Sequence, residues 1–152
     1  CEMNEIKFRV YPESVYGFYF DCVVYSDQSG FRVACKAHNG TDPGDDCRGI
    51  VLSSRTIRNG RFTKRLGRIS LVQGNLDAEV LSHESVHAAL RWAEAMKLNI
   101  TEQGADEKNM ASDCGEERFA YAVGRICAQM SDAMWEHGLV ETTEIEKEQG
   151  ND

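Results

Sequence analysis

The chain has 152 residues, with 17 Lys and Arg against 25 Asp and Glu, for a net charge of −8. That length holds one domain with a real core and not two. An ordinary apolar fraction of 41% and only two prolines exclude a disordered or fibrous class, and no apolar run reaches transmembrane length. No secretory signal is recognisable, and a start at Cys1 is expected from loss of an initiator methionine or a tag, with lipoprotein cleavage ranked behind them. Residues 1–140 read as a single domain, and 141–152, acidic and without an apolar face, as a flexible tail.

Residues 5–37 read as antiparallel sheet. Ile6, Phe8 and Val10 alternate with polar neighbours, and Pro12 closes that segment. Phe18, Phe20, Cys22 and Val24 form a second strand, and the turn Ser26-Asp27-Gln28-Ser29-Gly30 leads into Phe31, Val33, Cys35 and Ala37. In that hairpin Val24 lies opposite Val33 and Cys22 opposite Cys35, which keeps both apolar sets on one face. None of the six cysteines forms a C-x-x-C pair, so they are expected as free thiols packed like small hydrophobes.

His38 to Cys47, with Asn39-Gly40 and Asp42-Pro43-Gly44, is a loop by its turn chemistry. Its acids lack the spacing of a calcium loop and are expected to face solvent. Gly49 to Ser53 is a short apolar strand, Asn59-Gly60 between Ile57 and Phe62 a hairpin turn, and Arg68 to Val72 a further strand. From Arg48 to Arg68 the chain holds seven basic residues and no acidic one, which leaves about −15 for the rest. This cluster is either a solvated hairpin or a surface for an anionic partner, an acidic protein before nucleic acid, because Phe62 is the one aromatic residue in the run.

Asp77 to Lys97 is the stretch around which the rest is organised. Leu76, Val80, Leu81, Val86, Leu90 and Met96 recur at helical spacing, and Asn75 or Asp77 can cap the first turn. In mid-helix stands His83-Glu84-Ser85-Val86-His87. Residues four apart share one helix face, so the two imidazoles can meet one metal ion, and zinc accepts neutral imidazole readily. Glu84, beside the first histidine, is placed to act as a base toward water rather than as a ligand. Without a metal, the same pair would be two histidines of a half-buried helix. Thr101 to Ser112 is a polar connection suited to a rim or lid. Ser112 to His137 is a second long helix, with Phe119, Val123, Ile126, Cys127, Met130 and Met134 on one side, Gly138 at its end and Trp135 packing that end.

His83-Glu84-x-x-His87, followed a helix and a loop later by Glu117-x-x-Ala120, resembles the gluzincin group of zinc metallopeptidases. More narrowly, the chain is similar to small single-domain metallopeptidase-like proteins of phage and other mobile elements. The resemblance implies an α+β fold, a small twisted and mainly antiparallel sheet packed on two long helices with zinc between them. It implies His83, His87 and Glu117 as ligands, with Glu116 as the alternative to Glu117, and Glu84 as the catalytic base. A cytoplasmic protein acting on a protein or peptide substrate, with no membrane partner, is implied as well. So is a substrate strand laid along Arg68 to Val72 or its neighbour; the other reading of that strand is a core strand paired on both sides. Tyr121 stands where several gluzincins place an aspartate that orients a histidine, so the support of the histidines is unassigned. The alternative function is a non-catalytic zinc-containing protein that binds a host or regulatory partner, near nucleic acid or not.

Overall fold

The structure, a computed structural model, describes residues 5–74, 76–102 and 114–139. Strands β1 (Ile6–Val10) and β2 (Tyr19–Tyr25) pair antiparallel, Ile6 opposite Val24 and Phe8 opposite Cys22. Their inward residues Val10, Phe20, Cys22 and Val24 are buried, as the alternation demands.

The second hairpin is not formed. Residues Gln28–Asn39 are a helix, α1. Asp27, read as part of a turn, is its N-cap and accepts a hydrogen bond from the Gly30 N–H at 2.7 Å. Gly40, with φ 73°, closes the other end by donating to the Lys36 carbonyl at 2.8 Å. Phe31 and Cys35 are four apart and both buried, whereas Val33 faces solvent. An apolar alternation of Phe31, Val33 and Cys35 therefore concealed an i, i+4 pair between two good caps. Cys22 and Cys35 lie in separate apolar clusters. The described cysteines are free thiols, and burial raises Cys22 strongly and Cys35 to about 11, which leaves both unreactive.

The loop after α1 folds back on it. The Arg32 side chain donates to Asp42 at 2.9 and 2.7 Å and pairs with Asp45, and Gln28 donates to the Gly44 and Cys47 carbonyls. The loop acids face solvent as expected, and two of them, Asp42 and Asp45, are also paired with Arg32. Strand β3 (Gly49–Ser53) follows, then a small ribbon of β4 (Ile57–Arg58) and β5 (Arg61–Phe62) turning at Asn59 and Gly60, with φ of 53° and 75°. Strand β6 (Arg65–Val72) completes the main sheet, whose order is β1-β2-β6-β3.

The sheet is mixed. Helix α1 and its returning loop bring the chain to the end where β2 finishes; β3 runs back from there, so β6 runs antiparallel to β3 and parallel to β2. It is therefore a central strand paired on both sides, and Arg68 to Val72 is not an edge; among the described residues its neighbour β3 is an edge strand, as is β1 at the other side. Gly67 fits there because a side chain would collide with the Leu52 carbonyl.

Helices α2 (Ala78–Ala95) and α3 (Gly115–Glu136) cover one face of the sheet, and α1 part of the other, so the described residues form three helices instead of two. Asp77 caps α2 by accepting from the Val80 N–H at 2.9 Å. The buried face of α2 runs through Val80, Leu81, Glu84, Ser85, Ala88, Ala89, Trp92 and Ala93. Val86 and Leu90 lie outside it, which corrects their assignment to the core. Trp92, Ile126, Met130 and Met134 are fully buried between α2, α3 and the sheet. Trp135 is 74% exposed and does not pack the end of α3. No helix among the described residues is long and apolar enough to cross a membrane.

Candidate metal centre on helix α2

Burial fixes the rotation of α2 and so the direction of each polar side chain. The small residues Ala88 and Ala89 and the ring of Trp92 hold the helix to the core, which turns His83 and His87 outward. Their Nε2 atoms stand 3.1 Å apart, with ring centroids at 4.8 Å. Two nitrogens held by one tetrahedral zinc at about 2.0–2.1 Å would be separated by about 3.3 Å. The pair therefore meets the spacing of a two-histidine chelate with little change.

Glu84 is turned inward, against Gly49 at the start of β3. It is 5% exposed, and among the described residues its buried Oε2 has no hydrogen-bond partner. Burial raises its pKa, while the nearby His83 and His87 pull it down. Gly49 makes this position available: a Cβ there would lie 2.9 Å from Glu84 Cγ and 3.1 Å from Cδ. His83 and Glu84 share a cavity of about 480 Å³ with Asp46, Cys47, Arg48 and Glu79. Cys47 Sγ donates to the Gly49 carbonyl at 3.2 Å, and the Glu84 carboxylate helps burial to raise that thiol. Cys47 and Gly49 were not singled out from sequence. The available signal was a glycine opening an apolar strand, a place where another group comes close.

The edge of β3 lies beside this cavity. Ser54 N–H donates to the Leu66 carbonyl and Val72 N–H to the Arg48 carbonyl. Antiparallel alternation then turns the backbone of residues 48, 50, 52 and 54 toward β6 and that of Gly49, Val51 and Ser53 outward. The strand carries no charge and no proline, the devices that usually guard an edge.

Glu117 is placed differently. The Arg118 guanidinium stacks on the Trp92 ring at 5.6 Å, and Gly115 abuts the Asn99 backbone so closely that a side chain could not enter. The first turn of α3 is thereby held against the C-terminal end of α2. His83 precedes Trp92 by nine residues, about 13 Å along the helix axis. Glu117 is half-buried and Glu116 exposed at that far end. Among the described residues, His83 and His87 are not grouped with a third His, Cys, Asp or Glu side chain, Glu116 and Glu117 included. Tyr121 lines a separate cavity with Glu13, Arg118 and Arg125. Residues 103–112 of the connection expected as a rim or lid lie outside the described residues, as do Cys1 and residues 141–152 of the tail.

Comparison with protein-family models, with curated proteins and with solved structures finds no match to this chain.

Proposed function

We propose that the protein is a zinc-dependent hydrolase, and in particular a metallopeptidase of gluzincin-like, zincin-like type acting on a specific protein substrate. The observation that supports it most is the convergence of the His83 and His87 Nε2 atoms beside a buried carboxyl, Glu84, that has an unpartnered oxygen. His83 and His87 would hold the metal. When bound, zinc would polarise a carbonyl and acidify a water molecule. Glu84, its pKa raised by burial, takes a proton from water as it attacks the carbonyl and passes it to the leaving amine. An extended peptide would add to the free edge of β3 through the outward groups of Gly49, Val51 and Ser53, the strand-addition mode of recognition. The β4–β5 ribbon, with Arg58 opposite Arg61, continues the chain beyond that edge and would favour acidic substrate residues.

Glu117 is the third ligand that the resemblance implies, and among the described residues it is not grouped with the pair; the second reading is a non-catalytic protein that holds zinc and binds a partner. Metal content decides between them. After metal stripping and zinc resupply, native and Glu84→Gln protein are expected to hold near-stoichiometric zinc, and His83→Ala to lose it. Glu84→Gln would lower peptide-bond cleavage by about 10²- to 10⁴-fold and serve to trap the substrate. Failure of native protein to take up zinc would end both readings. Full zinc retention in Glu117→Ala, with no hydrolysis of a substrate trapped by Glu84→Gln, would favour the binding protein.

A further inference from the structure

On the sheet face opposite α2, helix α1 covers only the end formed by Val23, Tyr25 and Val72. The uncovered end carries Lys7, Arg9, Arg65 and Arg68, and it does so in a chain whose net charge is −8. Most of these cations are answered. Lys7 meets Glu5 at 3.4 Å, while Arg9 and Arg65 share Asp21 at 3.6 and 2.7 Å. Arg68 is not: among the described residues it has no carboxylate within ion-pair distance.

Arg68 is nonetheless held in place. Its Nη2 donates to the Tyr25 hydroxyl at 2.8 Å, and its Nη1 stands 2.7 Å from His38 Nε2, which must accept because arginine has no acceptor. Its Nε is buried and has no hydrogen-bond partner among the described residues. A buried charged donor without an acceptor is costly unless something supplies one. Between α1 and the ends of β3 and β6 lies a cavity of about 190 Å³ lined by His38, Asn39, Ser53, Ser54, Arg65 and Arg68. It contains hydroxyl, amide and guanidinium donors and no carboxylate. Arg65, anchored to Asp21 through Nε and to Ser54 through Nη1, keeps its Nη2 protons for use.

We infer that this cavity is a binding site for a phosphate-class oxyanion, with Arg68 as the principal donor and Arg65, Ser54 and Asn39 around it. Two partly engaged guanidinium groups with spare N–H protons, a hydroxyl and an amide lining one cavity suit a tetrahedral oxyanion better than a planar carboxylate. The site lies on the face of the sheet opposite His83 and is independent of the hydrolase reading.

The test is an NMR titration with inorganic phosphate at constant ionic strength, read at the Arg68 Nε–H and His38 ring resonances. Saturable shifts are expected, at least tenfold weaker in Arg68→Gln, partly recovered in Arg68→Lys and unchanged in His83→Ala. An amide spectrum showing both Arg68 variants folded keeps the comparison meaningful. Shifts reproduced by chloride or acetate at equal ionic strength, or undiminished in folded Arg68→Gln, would overturn the site. Adenosine monophosphate and a short oligothymidylate then separate the sources of the phosphate. Preference for the mononucleotide supports a free small ligand. Preference for the oligomer, with affinity falling steeply with salt, supports a nucleic-acid backbone at the same site.

Discussion

The two faces of one sheet have been treated in opposite ways. Toward α2 and α3, β6 presents Ile69 and Leu71, β2 presents Phe20, Cys22 and Val24, and the layer is closed by Trp92, Ile126, Met130 and Met134. Toward α1, the same strands present Arg68, Asp21 and Tyr25, and apolar packing is confined to a small cluster around Phe31 and Cys35. Alternation along a strand permits this division, since neighbouring residues face opposite ways. The covered face carries stability and positions the metal candidates on its outer helix. The half-covered face is left polar enough to hold charge.

Truncating one large buried aromatic side chain on each side of the sheet tests that division. Trp92→Ala should cost about 3–5 kcal/mol and lower the melting temperature of the whole domain, because its ring joins α2, α3 and the sheet. Phe31→Ala should mainly free α1, seen as faster amide exchange over residues 28–39 with the protection of β2 and β6 kept. Equal loss of protection everywhere in both variants would show one cooperative core and erase the contrast. A smaller effect is expected at the junction of β3 and α2. Gly49→Ala drives a methyl against Glu84 and Leu71 and should cost about 1–3 kcal/mol in chemical denaturation. It should also reduce any hydrolysis more than it reduces zinc content, since the contact is with Glu84, the proposed base, and not with the histidines.

The caps give a finer comparison. Asp27→Ala and Asp77→Ala each remove one N-terminal acceptor and should each cost about 1 kcal/mol, the first felt in α1 and the second in global stability. The smallest effect concerns Asp42, whose carboxyl is held at about 2 by the hydrogen bonds from Arg32 and the Gly44 N–H. A depressed pKa adds stability above the usual aspartate range, near about 3.9, and that contribution disappears as pH falls toward the folded value. Native protein and Asp42→Asn should therefore differ slightly in melting temperature near neutral pH. The two should converge as pH falls from about 4 to about 2.

Local signals in the chain were read well where one element sufficed to generate them. The Asn59-Gly60 turn, the apolar run Gly49 to Ser53 and the cap at Asp77 needed no distant partner to be recognised. The pairing of His83 with His87 was legible too, because a helix alone brings residues four apart together. Helix α1 was missed although both its caps were visible, since Phe31, Val33 and Cys35 satisfy a strand pattern as well as a helical one. Losing α1 also lost the parallel pairing of β2 with β6, which only a crossover connection allows.

By itself, then, the sequence determined the elements whose information is contained within a turn or two: most strands, α2 with its histidine pair and adjacent carboxyl, and the apolar side of α3. Tertiary structure alone decided that β6 is central and β3 the edge, and that Glu84 is buried against Gly49. It also decided that Glu117 lies near the Trp92 end of α2 and that Arg68 faces a cavity without a carboxylate. The physical reason is the range of the interactions. Helix periodicity and capping act over a few residues, whereas strand order, the level of one helix against another and the partnering of a charge depend on which distant segments pack together.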